Sequence, residues 1–183
     1  MARRTDMEIY HGRPEDESGR QSREIAVYDL LDKLEIPYER ADHEAAMTID
    51  DCKGVDELFQ IEICKNLFLC NRQKTIFYLL LMPGKKKFVT KELSHQIASG
   101  RLSFADESYM VEFLNIHPGA VSIMGLMNDK ENRVQLLIDR DVTKPEYFGC
   151  HPCVNTSSLR LRTSDVLEKF LPGVHHTYRI VDL

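Results

Sequence analysis

A lysine followed by an amide, Lys65-Asn66, runs directly into the apolar stretch Leu67-Phe68-Leu69. A cation at the mouth of a buried strand is unfavourable unless its ammonium finds a partner, opens onto a cleft or snorkels to solvent. Cys150-His151-Pro152-Cys153 sets two thiols at the spacing of a redox dithiol or of half a zinc site. The redox form expects the motif early in a thioredoxin-like unit, at the head of a helix. Here it lies late and leads through Asn155-Thr156-Ser157-Ser158 into a strand-like run. The zinc form needs a second ligand pair, and Cys64 and Cys70 have the wrong spacing, so no metal is expected; nor is an organic cofactor. His117 and His151 each precede proline, which forces an extended backbone and fixes where the ring points. Lys85-Lys86-Lys87, with Arg72, Lys74 and Lys91 near them in sequence, form a local basic cluster, either a solvated hairpin tip or a patch facing phosphate. There is no Gly-x-Ser-x-Gly elbow, no Walker loop and no His-Glu-x-x-His.

The remaining composition limits the partners. At 183 residues, 43% hydrophobic and 29% charged, the chain predicts one well-buried domain. A net charge of −5 argues against gripping long nucleic acid through its backbone, and leaves a small footprint such as one end of a strand. The polar N-terminus and the lack of a long apolar run predict a soluble, cytoplasmic protein with no membrane partner. The five cysteines (52, 64, 70, 150 and 153) are scattered, as suits reduced thiols.

The elements that must position these residues follow from periodicity. Residues 1–23 are charged, with few apolar anchors, and predict a loosely held extension before a domain spanning 24–183. Val27, Leu30, Leu31 and Leu34 recur at helical spacing before Pro37, and Tyr38–His43 suits a short edge strand. Thr48, with Asp50 and Asp51 behind it, caps a short helix expected to stop at Gly54. A central hairpin follows, its strands around 67–69 and over 75–82, turned at its far end by Pro83-Gly84. Helices are expected from Thr90 to Gly100 and over 107–114, and a buried strand over 134–139. A polar loop runs through 148–158, then come the alternating run Leu159–Arg162, a helix capped by Thr163 and a closing strand over 177–181. His117–Leu126 is bracketed by glycines, so its backbone can approach a ligand closely. The irregular interleaving predicts a mixed α/β (α+β) fold, one curved central sheet flanked by helices.

In their order these segments become specific. His43 followed by Ala46-Met47-Thr48, then Lys65-Asn66-Leu67-Phe68-Leu69, then Gly119-Ala120-Val121-Ser122 with Gly125-Leu126, then His151-Pro152 with Asn155-Thr156, resemble the YbaK/ProRS-associated domain family. Within it the chain is most similar to the ProX-like prolyl-tRNA deacylase branch, over residues 24–183. The resemblance implies hydrolysis of the ester joining a mischarged amino acid, typically alanine, to the terminal adenosine of proline tRNA. It implies catalytic roles for Lys65, Asn66 and His151. It also implies an aminoacyl group held by Ala46, Met47, Thr48, Gly119, Ala120, Val121, Ser122, Ile123, Gly125 and Asn155. The expected partners are the acceptor end of the tRNA, met by Lys85, Lys86 and Lys87, and prolyl-tRNA synthetase. Relatives commonly read Ser-Pro-Phe where this chain has Ser122-Ile123-Met124, a departure in the loop that holds the substrate.

An activated ester needs a placed water and a stabilised oxyanion more than a strong nucleophile. Amides of the glycine-bounded loop can face that oxygen, Lys65 can hold the terminal phosphate or ribose, and the ribose hydroxyl can orient the water. Ala46, Met47 and Ile49 are candidate walls of a pocket that admits alanine and refuses the proline ring. Two other readings use the same residues: a protein that binds the aminoacyl or nucleotide end without hydrolysis, favoured by Ile123-Met124, and a dithiol oxidoreductase on Cys150 and Cys153.

Overall fold

The computed structural model describes residues 7–48 and 50–183. In chain order they form β1 (Tyr10–His11), α1 (Ser22–Lys33), β2 (Tyr38–Asp42), a 3-10 turn (Asp50–Cys52), α2 (Lys53–Phe59), β3 (Cys64–Asn71) and β4 (Phe77–Pro83). Then come α3 (Thr90–Gln96), β5 (Leu102–Phe104), α4 (Glu107–Leu114), a 3-10 segment (Ile123–Asn128), β6 (Val134–Asp139) and a second 3-10 turn (Arg140–Thr143). The chain closes with β7 (Tyr147–Cys150), β8 (Ser157–Arg162), α5 (Thr163–Asp165), a π-helical turn (Val166–Phe170), α6 (Leu171–Gly173) and β9 (Tyr178–Val181).

The strands make two sheets where one was expected. The larger, in order β5-β3-β4-β6-β9, is mixed: β3 is antiparallel to β4 and β5, while β4, β6 and β9 run parallel. The smaller, β1-β2-β8-β7, is antiparallel throughout. Both contribute to one core, in which Phe68, Leu79 and Leu136 of the first sheet join Phe148, Leu159 and Leu161 of the second, with Tyr28 of α1 and Phe113 of α4. On the other face of the large sheet, Leu69, Tyr78, Leu80 and Met82 pack under Leu93 and Ile97. That double burial explains why β4 reads as an unbroken apolar run. A third cluster seats Val55 and Phe59 of α2 on Ala41, Ala46, Cys52 and Ile63. The fold is thus a single mixed α/β domain.

Several elements depart from expectation for identifiable reasons. Residues 7–23 are not a loose extension, because β1 pairs with β2, placing Tyr10 opposite Arg40 and His11 opposite Glu39. Arg13 meets Glu17, Asp29 and Asp32, and Arg20 bridges Glu24 at 2.6 Å and Asp42 at 2.7 Å. The packed unit therefore begins before residue 24. With β1 and β8 on either side, β2 is internal rather than an edge. The helix after Thr48 does not stop at Gly54, since burying Val55 and Phe59 outweighs one glycine's cost of about 1 kcal/mol. The loop expected over 148–158 opens with β7, which pairs with β8. No helix among the described residues is long and apolar enough to cross a membrane.

Candidate active site

A cleft of about 220 Å³ opens at one end of the seam between the two sheets. Its walls are Ile63, Cys64, Lys65, Asn66 and Leu67 of β3 and the residues leading to it, Ala46, Met47, Thr48 and Cys52 beyond β2, Gly119 and Val121 beyond α4, Cys150 and Ser158 of the small sheet, and His151 in the connection between β7 and β8. Four stretches, far apart in sequence and each expected to carry the site, meet here.

The strand period places Lys65 and Asn66 on opposite faces of β3, Lys65 with Leu67 and Leu69, Asn66 with Cys64 and Phe68. Asn66 donates through Nδ2 to the Cys64 carbonyl at 3.1 Å, and its Oδ1 is buried without a partner among the described residues. A buried acceptor left open beside a cleft suits a donor carried by a ligand. The Lys65 ammonium donates to the Lys86 carbonyl at 2.5 Å. An ammonium has three donors, so among the described residues two remain without an acceptor.

His151 is held in one tautomer. Its Nδ1–H donates to the Ser157 carbonyl at 2.8 Å, which leaves Nε2 as an acceptor. Burial lowers its pKa, the Ser157 carbonyl opposes that, and His43 adds to it, so the ring is held neutral. His43 donates from Nδ1 to the Glu44 carbonyl at 2.7 Å and accepts at Nε2 from the Ser158 hydroxyl at 2.9 Å. Ser158 Oγ also lies 3.4 Å from His151 Nδ1. Ser158 was not among the expected site residues. A serine in a Ser-Ser pair at the head of a strand gives no signal of its own.

The approach to the cleft is pinned by backbone bonds. His43 N donates to the Thr156 carbonyl at 3.0 Å and Ala46 N to the Asn155 carbonyl at 2.9 Å. The Asp51 carboxylate accepts from the amides of Met47 (3.0 Å) and Thr48 (2.8 Å) and from the Thr48 hydroxyl (2.9 Å). Met47 is 61% exposed and lies at the rim. Asn155 does not line the cleft but adjoins it, donating to Met47 Sδ at 3.1 Å. Ile49, expected as a third wall residue, lies outside the described residues.

The glycine-bounded loop divides in two. Gly119 and Val121 reach the cleft, and among the described residues their amides have no acceptor. Gly119 sits at φ +87°, and a Cβ there would come within 3.2 Å of Met47 Sδ and Cε. The other expected contacts, Ala120, Ser122, Ile123 and Gly125, do not line the cleft. Ala120 and Ile123 are in the core, Ser122 caps the 3-10 segment by accepting from Met124 N, and a Cβ on Gly125 would meet Ile116 Cδ1 at 2.6 Å. They hold the loop in place. Ile123 and Met124 are wholly buried, so packing anchors this segment without the relatives' proline.

The basic cluster also divides. Arg72 and Lys74 lie at the β3–β4 turn, the far end of the hairpin from Lys85–Lys87, and Lys74 pairs with Asp106 at 2.6 Å. Lys85 and Lys87 are exposed, whereas Lys86 turns inward and its ammonium is engaged by Asp139 and Asp141 instead of facing solvent with its neighbours. Cys150 and Cys153 are both buried, and burial raises both thiols, Cys153 to about 12, the opposite of what dithiol exchange needs. Among the described residues no three His, Cys, Asp or Glu side chains are grouped to hold a metal ion.

This arrangement can be set beside known proteins. Residues 43–169 match the aminoacyl-tRNA editing domain family. The chain is 31% identical over 158 residues to the prolyl-tRNA editing protein ProX of Acetoanaerobium sticklandii, covering 86% of this chain and 96% of that one. It is 26% identical to prolyl-tRNA synthetase associated domain-containing protein 1 of Danio rerio, over 81% of each chain. Its fold is similar to the crystal structure of a candidate trans-editing enzyme for prolyl tRNA synthetase, with TM-score 0.67 at 14% identity over 89% of this chain and 97% of the other. On the family match and the ProX identity together, the chain belongs to the aminoacyl-tRNA editing domain family and is an aminoacyl-tRNA deacylase.

Proposed function

We propose that the ester this deacylase cleaves is that of a mischarged proline tRNA, with alanine as the amino acid removed in trans. The observation that carries the reading is the meeting of Lys65, Asn66, His151 and the open amides of Gly119 and Val121 around one small cleft. Its volume of about 220 Å³ is below the roughly 300–1,000 Å³ usual for drug-sized ligands, and so suits a small aminoacyl group.

In this reading the ester carbonyl faces the Gly119 and Val121 amides, which stabilise the tetrahedral oxyanion. The two remaining donors of Lys65 hold the terminal phosphate or ribose. Asn66 Oδ1 accepts from the substrate, its α-ammonium being the donor nearest the ester. His151, neutral and accepting at Nε2, orients the attacking water together with the ribose hydroxyl. The proton leaves to the ribose oxygen as the ester C–O bond breaks, giving free amino acid and intact tRNA. Lys85 and Lys87, both exposed, meet phosphates of the acceptor end, and prolyl-tRNA synthetase is the source of the mischarged substrate.

Selectivity rests on exclusion, because one methylene is worth only ~1–3 kcal/mol in an apolar pocket. Met47 at the rim and Ala46 at the wall keep out the proline ring. The test is a panel of alanyl, cysteinyl, seryl and prolyl esters on proline tRNA. Rapid release of alanine with prolyl-tRNA spared is the expected result. Failure to release alanine, or equal release of proline, would remove the assignment.

A further inference from the structure

We infer that Lys86 is a positioning residue for Lys65, acting through its own backbone carbonyl. The inference rests on the catalytic reading of Lys65. The Lys65 ammonium has one acceptor among the described residues, the Lys86 carbonyl at 2.5 Å. That carbonyl belongs to the turn after β4, which has few internal bonds: Lys86 N donates to the Pro83 carbonyl at 3.1 Å, and Lys85 N to Glu62 Oε1 at 3.0 Å. The Lys86 side chain fixes the turn instead. Its ammonium lies 3.0 Å from both carboxylate oxygens of Asp139, 2.7 Å from Asp141 Oδ2 and 2.6 Å from the Leu183 carbonyl.

Asp139 gives this anchor its rigidity. It is fully buried at the end of β6, the strand parallel to β4. The same carboxylate accepts from the amides of Asp141 at 2.9 Å and Leu183 at 3.3 Å. A buried carboxylate with a cation and two amides holds its partners closely, because leaving it unpaired is unfavourable. The path therefore runs from β6, through the ion pair, to the turn and then to the Lys65 ammonium. A flexible four-carbon side chain is set in one place by a bond to a carbonyl that is itself set. Lys86 is thus no phosphate contact, and the two roles give opposite kinetics.

Lys86→Met keeps the carbonyl and removes its anchor. In single-turnover hydrolysis of alanyl proline tRNA, the rate constant should fall on the order of 10- to 100-fold, the usual effect of displacing the ester by about 1 Å, and half-saturation should weaken no more than it does in Lys65→Ala. In a Lys65→Ala background the same substitution should lower the residual rate no further. Lys86→Gln, which can still donate to Asp139, should lose less and serves where the methionine variant melts below the assay temperature. Weakened half-saturation at an unchanged rate constant would overturn the inference, as would equal losses in both backgrounds. Full activity of Lys65→Ala alone would instead overturn the reading of Lys65, and the two failures are distinguished by that single variant.

Discussion

The imidazole of His43 stands 6.0 Å from that of His151, tilted by 52°, and the Ser158 hydroxyl contacts both rings. One hydroxyl therefore joins the two rings on the small-sheet side of the cleft. Because Nδ1 of His151 is occupied by the Ser157 carbonyl, the ring can serve the reaction through Nε2 alone.

The pH dependence follows from the lowered pKa of His151. In the unfolded chain the ring takes a proton as pH falls through about 6.5, and in the folded protein only at lower pH. Stability from this site is therefore complete above pH 6.5 and declines as pH falls below it, since the unfolded state then binds more protons. Deacylation should persist below pH 6.5 and fall as the folded ring finally titrates. His151→Gln should flatten the melting temperature against pH in that window. A rate that titrates at or above 6.5 would show that neutral His151 is not the acceptor.

Lys65→Ala should lower the single-turnover rate on the order of 10²-fold, the effect of letting the ester shift by about 1 Å once the group that holds its phosphate or ribose is gone. The melting temperature should hardly change, since the ammonium is only partly buried and among the described residues bonds a single carbonyl. Retained activity would end the role given to the lysine.

Met47→Ala should widen the rim and admit larger aminoacyl groups, shifting the ratio of prolyl to alanyl hydrolysis by roughly 10- to 200-fold. Gly119→Ala works on the same contact from the other side. Its methyl would press on Met47 at 3.2 Å and its backbone would be strained at φ +87°, so a loss of about 1 kcal/mol in stability and a larger loss of rate are expected. Denaturant melts and rates on the ester panel check both.

Arg20→Ala should destabilise the domain by about 2 kcal/mol, between the limits for exposed and buried pairs. It strips the guanidinium from Glu24, whose side chain is 4% exposed, and from Asp42, whose pKa burial raises but Arg20 and Arg40 hold down to about 2. A melting curve like that of the parent chain would mean that the N-terminal segment contributes nothing.

Periodicity made the β3–β4 hairpin, β6 and α4 legible, because each carries its burial pattern within its own residues. β1 could not be read that way, since a two-residue strand between charged residues exists only through its pairing with β2. β5 and β7 are short, and Gly149 interrupts the apolar pattern of β7. Of the residues that line the cleft, Lys65, Asn66, His151 and Gly119 were legible as an ordered set of short motifs. Ser158 was not, because its meaning comes from rings 115 and 7 residues away. The inward turn of Lys86 was not legible either: three adjacent lysines look alike until Asp139, 53 residues on, selects one of them.

The cleft is bounded by β3 from one sheet and by His151 and Ser158 from the other. Its width is therefore the spacing between two slabs, a dimension set by every side chain wedged in the shared interior. Swapping Phe148 or Leu161 for a bulkier or slimmer residue, remote from any reacting atom, should retune which acyl sizes are accepted. On the size exclusion proposed above, fidelity becomes a bulk mechanical property as much as a local one, and variants that alter it should be scattered through the hydrophobic interior.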